Sequence, residues 1–339
     1  MLRCRSDLHK GPDAGIAGTP VVTVRHDYRM TPYLRSLLRG RAPDDPIALQ
    51  FLPDERELHA LPYETADPIG DIPHTPVKGI VHRHPDRVLL KVAHSCPVYC
   101  RFCFRREMVG SKGDALQGVE LDAAIEYVRE HRDVWEVILT GGDPLSLSSR
   151  RLADILGRLA LIDHVGVIRV HSRVPIVAPN SIDETYARAL VQSKPVYLAV
   201  HVNHSEEVTE PVVKALRLLS ESGVVLLSQT VLLRNVNDNA AVLDALFRKL
   251  ALLKVRPYYL HHPDLAPGTS HFRVPIEVGQ ELMRVLRARL SGLCLPTYVL
   301  DIPGGFGKVP IGPAHVSCKS ASGSREIIDN QGNRHSYPE

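Results

Sequence analysis

The sequence predicts an α/β fold built on a parallel sheet, and three observations carry that prediction. Six short apolar runs read as strands, at residues 88–92, 136–139, 165–170, 196–201, 224–230 and 257–260. Among them lie amphipathic stretches of helical length: LDAAIEYVREH, RRLADILGRLA, IDETYARALVQS, TEPVVKALRLLSES, NAAVLDALFRKLALL and GQELMRVLRARL. Strands that alternate with helices of about ten to fifteen residues imply βαβ units. The third observation is where the reactive groups fall. A cysteine run follows the first strand, GGDP the second, HSR the third and HVNH the fourth; Gln229 closes the fifth, and HHPD follows the sixth. Parallel barrels keep their chemistry at the C-terminal ends of the strands. Six repeats suit either an open doubly wound sheet or a partial barrel.

Residues 1–80 read as an extension ahead of this repeat. The first 25 or so are rich in Gly, Pro and Arg without periodicity and are expected to be flexible. Short helical pieces follow among many prolines, in TPYLRSLLRG and DERELHALP. Residues 81–300 carry the repeat, and residues 301–339 a glycine-rich lysine loop and a tail. The 339 residues suffice for one large domain with extensions, and 44% hydrophobic with 23% charged residues is ordinary for a globular chain. A net charge of +3 with no long basic run argues against a nucleic-acid partner. No apolar stretch reaches the roughly 20 residues that span a bilayer, and the N-terminus lacks the apolar core of a secretory signal. Of six cysteines, three share one run while Cys4, Cys294 and Cys318 are scattered, which is no disulfide framework. Reduced thiols point to the cytoplasm.

The cysteine run, HSCPVYCRFCFRR, places Cys96, Cys100 and Cys103 in a C-x3-C-x2-C spacing. Three thiolates can ligate three irons of a [4Fe–4S] cluster and leave the fourth open to another ligand. Three buried structural cysteines, or a zinc site short of its fourth ligand, would need no such crowd of arginines as Arg101, Arg105 and Arg106. Near the C-terminus, VLDIPGGFGKVP carries Lys308 in a glycine-rich turn. It lacks the G-x4-G-K-[ST] spacing of a phosphate-binding P-loop. The other reading is a lysine that forms a Schiff base with pyridoxal phosphate (PLP), glycines letting the backbone pass close to the ring.

The cysteine spacing resembles the signature of radical S-adenosylmethionine (SAM) enzymes. Nine segments together resemble the lysine 2,3-aminomutases, which also use PLP: RHPDRVLLKV, CPVYCRFCFRR, LTGGDPL, SRVPIV, HVNHSEEVTE, QTVLLRNVNDN, VRPYYL, DLAPGTSHFR and DIPGGFGK. The likeness runs from about Tyr28 to Pro310. It implies a partial (β/α)6 barrel of the TIM type, with cluster, SAM and PLP as cofactors. It implies that Cys96, Cys100 and Cys103 hold the cluster, that Lys308 holds PLP, and that Arg83 and Arg87 take the PLP phosphate, for which a guanidinium fork is suited. Gly141, Gly142 and Asp143 fall where the family receives the SAM amine, with Asn203 and Gln229 as further SAM contacts. Arg105 matches the arginine that takes the substrate carboxylate. Asp264 and Asp301 match the carboxylates that take the distal ammonium of lysine, a group that needs anions once out of water.

The reaction so implied is L-lysine 2,3-aminomutation. A 5′-deoxyadenosyl radical starts a 1,2-amino shift on the PLP aldimine and converts L-α-lysine to β-lysine. An electron donor such as flavodoxin or ferredoxin, and a homo-oligomer, belong to the same expectation. By the same resemblance, the free-lysine enzymes carry zinc-binding cysteines near the position of Asn239 here and in the tail, whereas this chain has Asn239 and, in its tail, only Cys318. It also has His261 where the family has a tyrosine. Rival readings are an enzyme making β-lysine for elongation factor P, an aminomutase for arginine or glutamate, an iron–sulfur redox sensor, and a PLP enzyme with structural cysteines.

Overall fold

In a computed structural model of the chain, the structure describes residues 9–10, 23–24, 28–110, 115–316 and 324–338. The expected flexibility of residues 1–25 thus falls, apart from two strand pairs of residues, outside the described residues, as do Cys4 and Cys318. Strands β1 (His9–Lys10) and β2 (Thr23–Val24) pair antiparallel.

The centre of the molecule is one nine-stranded sheet. Its strands are β3 (Ile80–His84), β4 (Arg87–Ala93), β5 (Glu136–Gly141), β6 (Val167–Ser172), β7 (Val196–His201), β8 (Val225–Val231), β9 (Val255–His261), β10 (Thr297–Ile302) and β11 (Gly307–Pro310). Spatial order follows chain order from β11 back to β3. Strands β4 to β10 are all parallel; β3 and β11 close the two ends antiparallel. All six expected strands are present: 196–201 matches at both ends, 88–92, 136–139 and 257–260 lengthen by one or two residues at an end, and 165–170 and 224–230 shift toward the C-terminus by two residues and one. The sheet curls until its edges approach: a Cβ on Gly307 of β11 would stand 2.9 Å from the His84 ring of β3. This is a partial TIM-like barrel, so the curled alternative holds over the open doubly wound sheet.

Each parallel crossover carries a helix because its apolar residues recur every three or four positions. In α3 of the series α1 (Pro32–Leu38), α2 (Val119–Glu130) and α3 (Ser149–Ala160), Leu152, Ile155, Leu156 and Leu159 form the buried stripe. Its start is fixed by Ser148, whose hydroxyl accepts from the Arg151 N–H at 3.3 Å. After the short α4 (Val174–Val177), the helices α5 (Glu184–Leu190), α6 (Glu210–Glu221), α7 (Ala240–Leu252) and α8 (Ile276–Arg289) complete the outer layer. Asn239 caps α7 by accepting from the Ala241 N–H at 2.8 Å. The tail ends in an antiparallel pair, β12 (Ser324–Ile328) and β13 (Arg334–Pro338).

The extension is part of the same core. Met30, Leu34, Leu38, Ile47 and Phe51 belong to one continuous apolar cluster with the strand and helix residues of the barrel. At about 1.5–3 kcal/mol for each large apolar side chain withdrawn from water, that contact is enough to fix the extension across the strand ends. No helix among the described residues is long and apolar enough to cross a membrane.

Candidate active site

The loop after β4 holds the cysteines, and buried ion pairs hold the loop. Arg101 lies between Cys100 and Cys103 and is 1% exposed. Its Nε donates to Glu57 Oε1 at 2.8 Å, and its Nη2 to Glu57 Oε2. Arg106 Nη2 donates to the same Oε2, while its Nη1 reaches the carbonyls of Arg101 at 3.0 Å and Gly268 at 3.2 Å. Burial alone would push the Glu57 carboxyl up. The two guanidiniums outweigh it and hold the carboxyl below the usual range. Glu57 comes from the extension, so the cysteine loop is anchored from outside the barrel.

All three thiols face a cavity of about 160 Å³ whose walls include Gly141, Gly142, Asp143, Arg173, His201, Gln229 and His261. Burial pushes each thiol up, Cys103 to about 11. Arg173 Nη1 donates to Cys100 Sγ at 2.9 Å. Its other nitrogen bonds Gln50 Oε1 at 2.7 Å and Glu207 Oε2 at 2.8 Å, and its face packs on the rings of Phe51 and Phe102. Three thiols that burial keeps protonated, aimed at one cavity and met by a buried cation, suit a cluster, since iron supplies the positive charge that deprotonates them. The donor set fits a [4Fe–4S] group.

Gly141 and Gly142 are needed for close approach rather than for flexibility. A Cβ on Gly141 would stand 2.3 Å from the Ala93 carbonyl, and one on Gly142 2.4 Å from that of Ser95. The glycines let β5 pass directly under the start of the cysteine loop and leave their backbone on the cavity wall. Asp143 lines the same cavity, with its carboxylate hydrogen-bonded within the protein. Its carboxylate accepts from the Leu145 N–H at 3.0 Å, Ser172 Oγ at 2.7 Å and the Arg173 N–H at 2.7 Å. It is engaged in tying β5 to the end of β6, and burial raises its pKa. Asn203 stands apart from both cavities. Its side chain is fully buried between Gln50 and the Val231 N–H. Gln229 does face the cavity, 3.2 Å from the ring of His171.

A second cavity, of about 320 Å³, adjoins the first and shares with it Phe104, Arg105, Thr140, His171, Gln229, His261 and Asp264. It collects the remaining expected residues: Arg83, Arg87, Asp301 and Lys308. Lys308 is not on an isolated loop but on β11, the return strand of a hairpin. The register places it directly opposite Asp301 of β10, and the ammonium pairs with that carboxylate. Arg83 donates to the Ile69 carbonyl at 2.6 Å, with its guanidinium 3.8 Å from both Asp301 and Asp71. Arg87 pairs with Asp86 at 2.8 Å at the half-open rim. Arg169, His84 and Tyr258 line the same wall, none of them singled out by sequence. Burial and the nearby Asp301 push Asp264 up to about 7. Burial holds His171 and His261 neutral, and His261 Nε2 has no hydrogen-bond partner. A lysine amine beside several guanidiniums, with an unbonded Asp301 Oδ1, fits PLP: a Schiff-base partner, cations for the phosphate and spare acceptors.

Sequence reading missed Glu57, Asp71, Gln50, Arg173 and Glu207. Each is a charged or polar residue fully or almost fully buried, and burial is what the linear pattern does not display.

Comparison with known proteins agrees with this geometry. Residues 90–246 match the Radical SAM superfamily. The chain is 41% identical over 291 residues to L-lysine 2,3-aminomutase of Clostridium subterminale, covering 86% of this chain and 70% of that protein. It is 41% identical over 322 residues to L-lysine 2,3-aminomutase of Fusobacterium nucleatum, covering 94% and 76%. Glutamate 2,3-aminomutase of Clostridioides difficile is 34% identical over 292 residues, covering 86% and 69%. This family implies a [4Fe–4S] cluster, SAM and PLP. The chain belongs to the lysine 2,3-aminomutase family of radical SAM isomerases.

Proposed function

We propose that the protein interconverts L-α-lysine and β-lysine. One observation carries the choice of substrate: Asp264, Asp301, Arg105 and Lys308 line a single cavity that shares a wall with the cysteine cavity. Arg105 offers a guanidinium fork to the α-carboxylate. Asp264 and Asp301 offer charge to the distal ammonium, and binding that cation returns Asp264 to its ionised form. Two carboxylates set against a glutamate side chain would repel it, which disfavours the glutamate reaction. Lys308 would hold PLP, and Arg83 and Arg87 would hold its phosphate. When bound, the cluster and SAM supply a carbon-centred radical, and PLP supplies the conjugated system on which the amino group migrates. The neutral imidazoles of His171 and His261 and the ring of Phe104 stand at the shared wall, where they exclude water and leave no stray charge beside a reactive radical.

The reading also includes a flavodoxin- or ferredoxin-like electron donor, a homo-oligomer, and the cytoplasm, where thiols stay reduced. The test is anaerobic turnover of L-lysine by the reconstituted protein with SAM, PLP and dithionite, with β-lysine followed by mass spectrometry. Product that disappears in Cys100→Ala and Lys308→Ala proteins is expected. SAM cleavage without β-lysine from lysine would reject the substrate.

A further inference from the structure

The residue that sets Arg105 comes from outside the barrel. Asp71 is fully buried, and its Oδ2 accepts from Arg105 Nε at 3.3 Å and Nη2 at 3.2 Å. The remaining Arg105 nitrogen, Nη1, donates to Thr140 Oγ1 at 3.1 Å, and the guanidinium face lies 4.6 Å from the centre of the Phe104 ring. Lys91 stands 3.9 Å from the same Oδ2, and Arg83 3.8 Å from Oδ1. Oδ1 itself has no hydrogen bond. One carboxylate thus gathers three cations, and it fixes the orientation of the one whose guanidinium borders both cavities.

The segment carrying Asp71 is itself fixed. The Asp67 carboxylate accepts from the Asp71 and Ile72 N–H groups, each at 2.8 Å. Gly70, with φ at +68°, lies so close to the lysine hairpin that a Cβ would stand 2.5 Å from the backbone of Gly304 and Gly305. Adjacent residues of the extension therefore touch the arginine on one side and the hairpin of Lys308 on the other.

We propose that Asp71 is a positioning residue for substrate recognition: it aims the Arg105 guanidinium at the α-carboxylate and indexes it to the lysine hairpin through Gly70. The proposal rests on the reading of Arg105 as the carboxylate-binding group. A residue that only neutralised buried charge would affect all ligands of the cavity alike, whereas an aiming residue affects those that carry a carboxylate.

The test compares two ligands of the reconstituted holoenzyme, L-lysine and 1,5-diaminopentane, which keeps both amines and lacks the carboxylate. Binding is read as the change in PLP absorbance. Wild type should prefer lysine. In Asp71→Asn, which keeps the side chain's shape, lysine should bind about tenfold more weakly, the scale of one charged hydrogen bond, with diamine binding unchanged. KM for lysine should rise by the same factor with kcat little altered. Thr140→Val removes another anchor of the same guanidinium without touching the buried carboxylate, and should show a smaller selective loss. Equal losses for both ligands, or no loss for lysine in either variant, would overturn the proposal. A wild type that does not prefer lysine to the diamine would instead overturn the reading of Arg105, and the proposal with it.

Discussion

Replacing Glu57 with Gln should unlock the cysteine loop. Glu57 is buried with Arg101 and Arg106, whose side chains are 1% and 4% exposed, and its two oxygens receive three of their hydrogen bonds. Glutamine keeps the shape but removes the charge, leaving two buried guanidiniums without a counter-ion. Breaking a buried pair in this way costs about 3–5 kcal/mol. The exposed pair Lys78–Glu120, with side chains 59% and 37% exposed, serves as a control, since Lys78→Ala should cost no more than about 1 kcal/mol. Thermal unfolding of the reconstituted proteins should place Glu57→Gln on the order of 5–10 °C below wild type, and iron per chain should fall because the loop carrying Cys100 and Cys103 is no longer held. The pH dependence has a defined sign. The Glu57 carboxyl titrates lower in the folded chain than in the unfolded one, so its stabilisation is complete above the unfolded value of about 4.3 and fades as pH falls below it. The gap between wild type and variant should close in that acidic window. A Glu57→Gln protein no less stable than the Lys78→Ala control would refute the claim that this carboxylate anchors the loop.

Three other outcomes follow from the geometry. Asp264 titrates near 7, so lysine affinity, read as KM between pH 6 and 8.5, should improve as pH rises through 7, and Asp264→Asn should bind weakly and flatten that limb. Arg173→Gln removes the positive donor to Cys100 Sγ; the reduced cluster then loses stabilisation, and its midpoint potential by EPR titration should move more negative, while an unchanged potential would contradict a tuning role. In Gly142→Ala the new methyl meets the Ser95 backbone, which overpacking of this kind places at about 1–3 kcal/mol, so iron incorporation should drop in a protein that still folds.

What was legible in the sequence and what was not divides along physical lines. Six of the seven parallel strands, β4 to β9, show as short apolar runs because strands buried on both faces need few polar residues. Of their neighbours, β3 and β11 were not read as strands, and β10 was read only as a strand-like run before Asp301. The hairpin of β10 and β11 instead looked like a glycine-rich turn, although the Asp301–Lys308 pairing depends on its register. Asp143 and Asn203 were read as ligand contacts because of the motifs in which they stand. What the motifs do not show is their protein partners: Asp143 bonds Ser172, 29 residues on, and Asn203 bonds Gln50, 153 residues back.

The sequence by itself determined the chemistry. Cysteines spaced for a cluster, a lysine among glycines, and aspartates and arginines after strand-like runs are local patterns, and cofactor binding demands residue types more than it demands long-range context. Only the tertiary structure decided how those groups are held. Asp71 meets Arg105 across 34 residues, Glu57 meets Arg101 across 44, and Cys100 meets Arg173 across 73. A buried charge is tolerable only where folding delivers its partner, and nothing in a linear run of residues records which distant partner arrives.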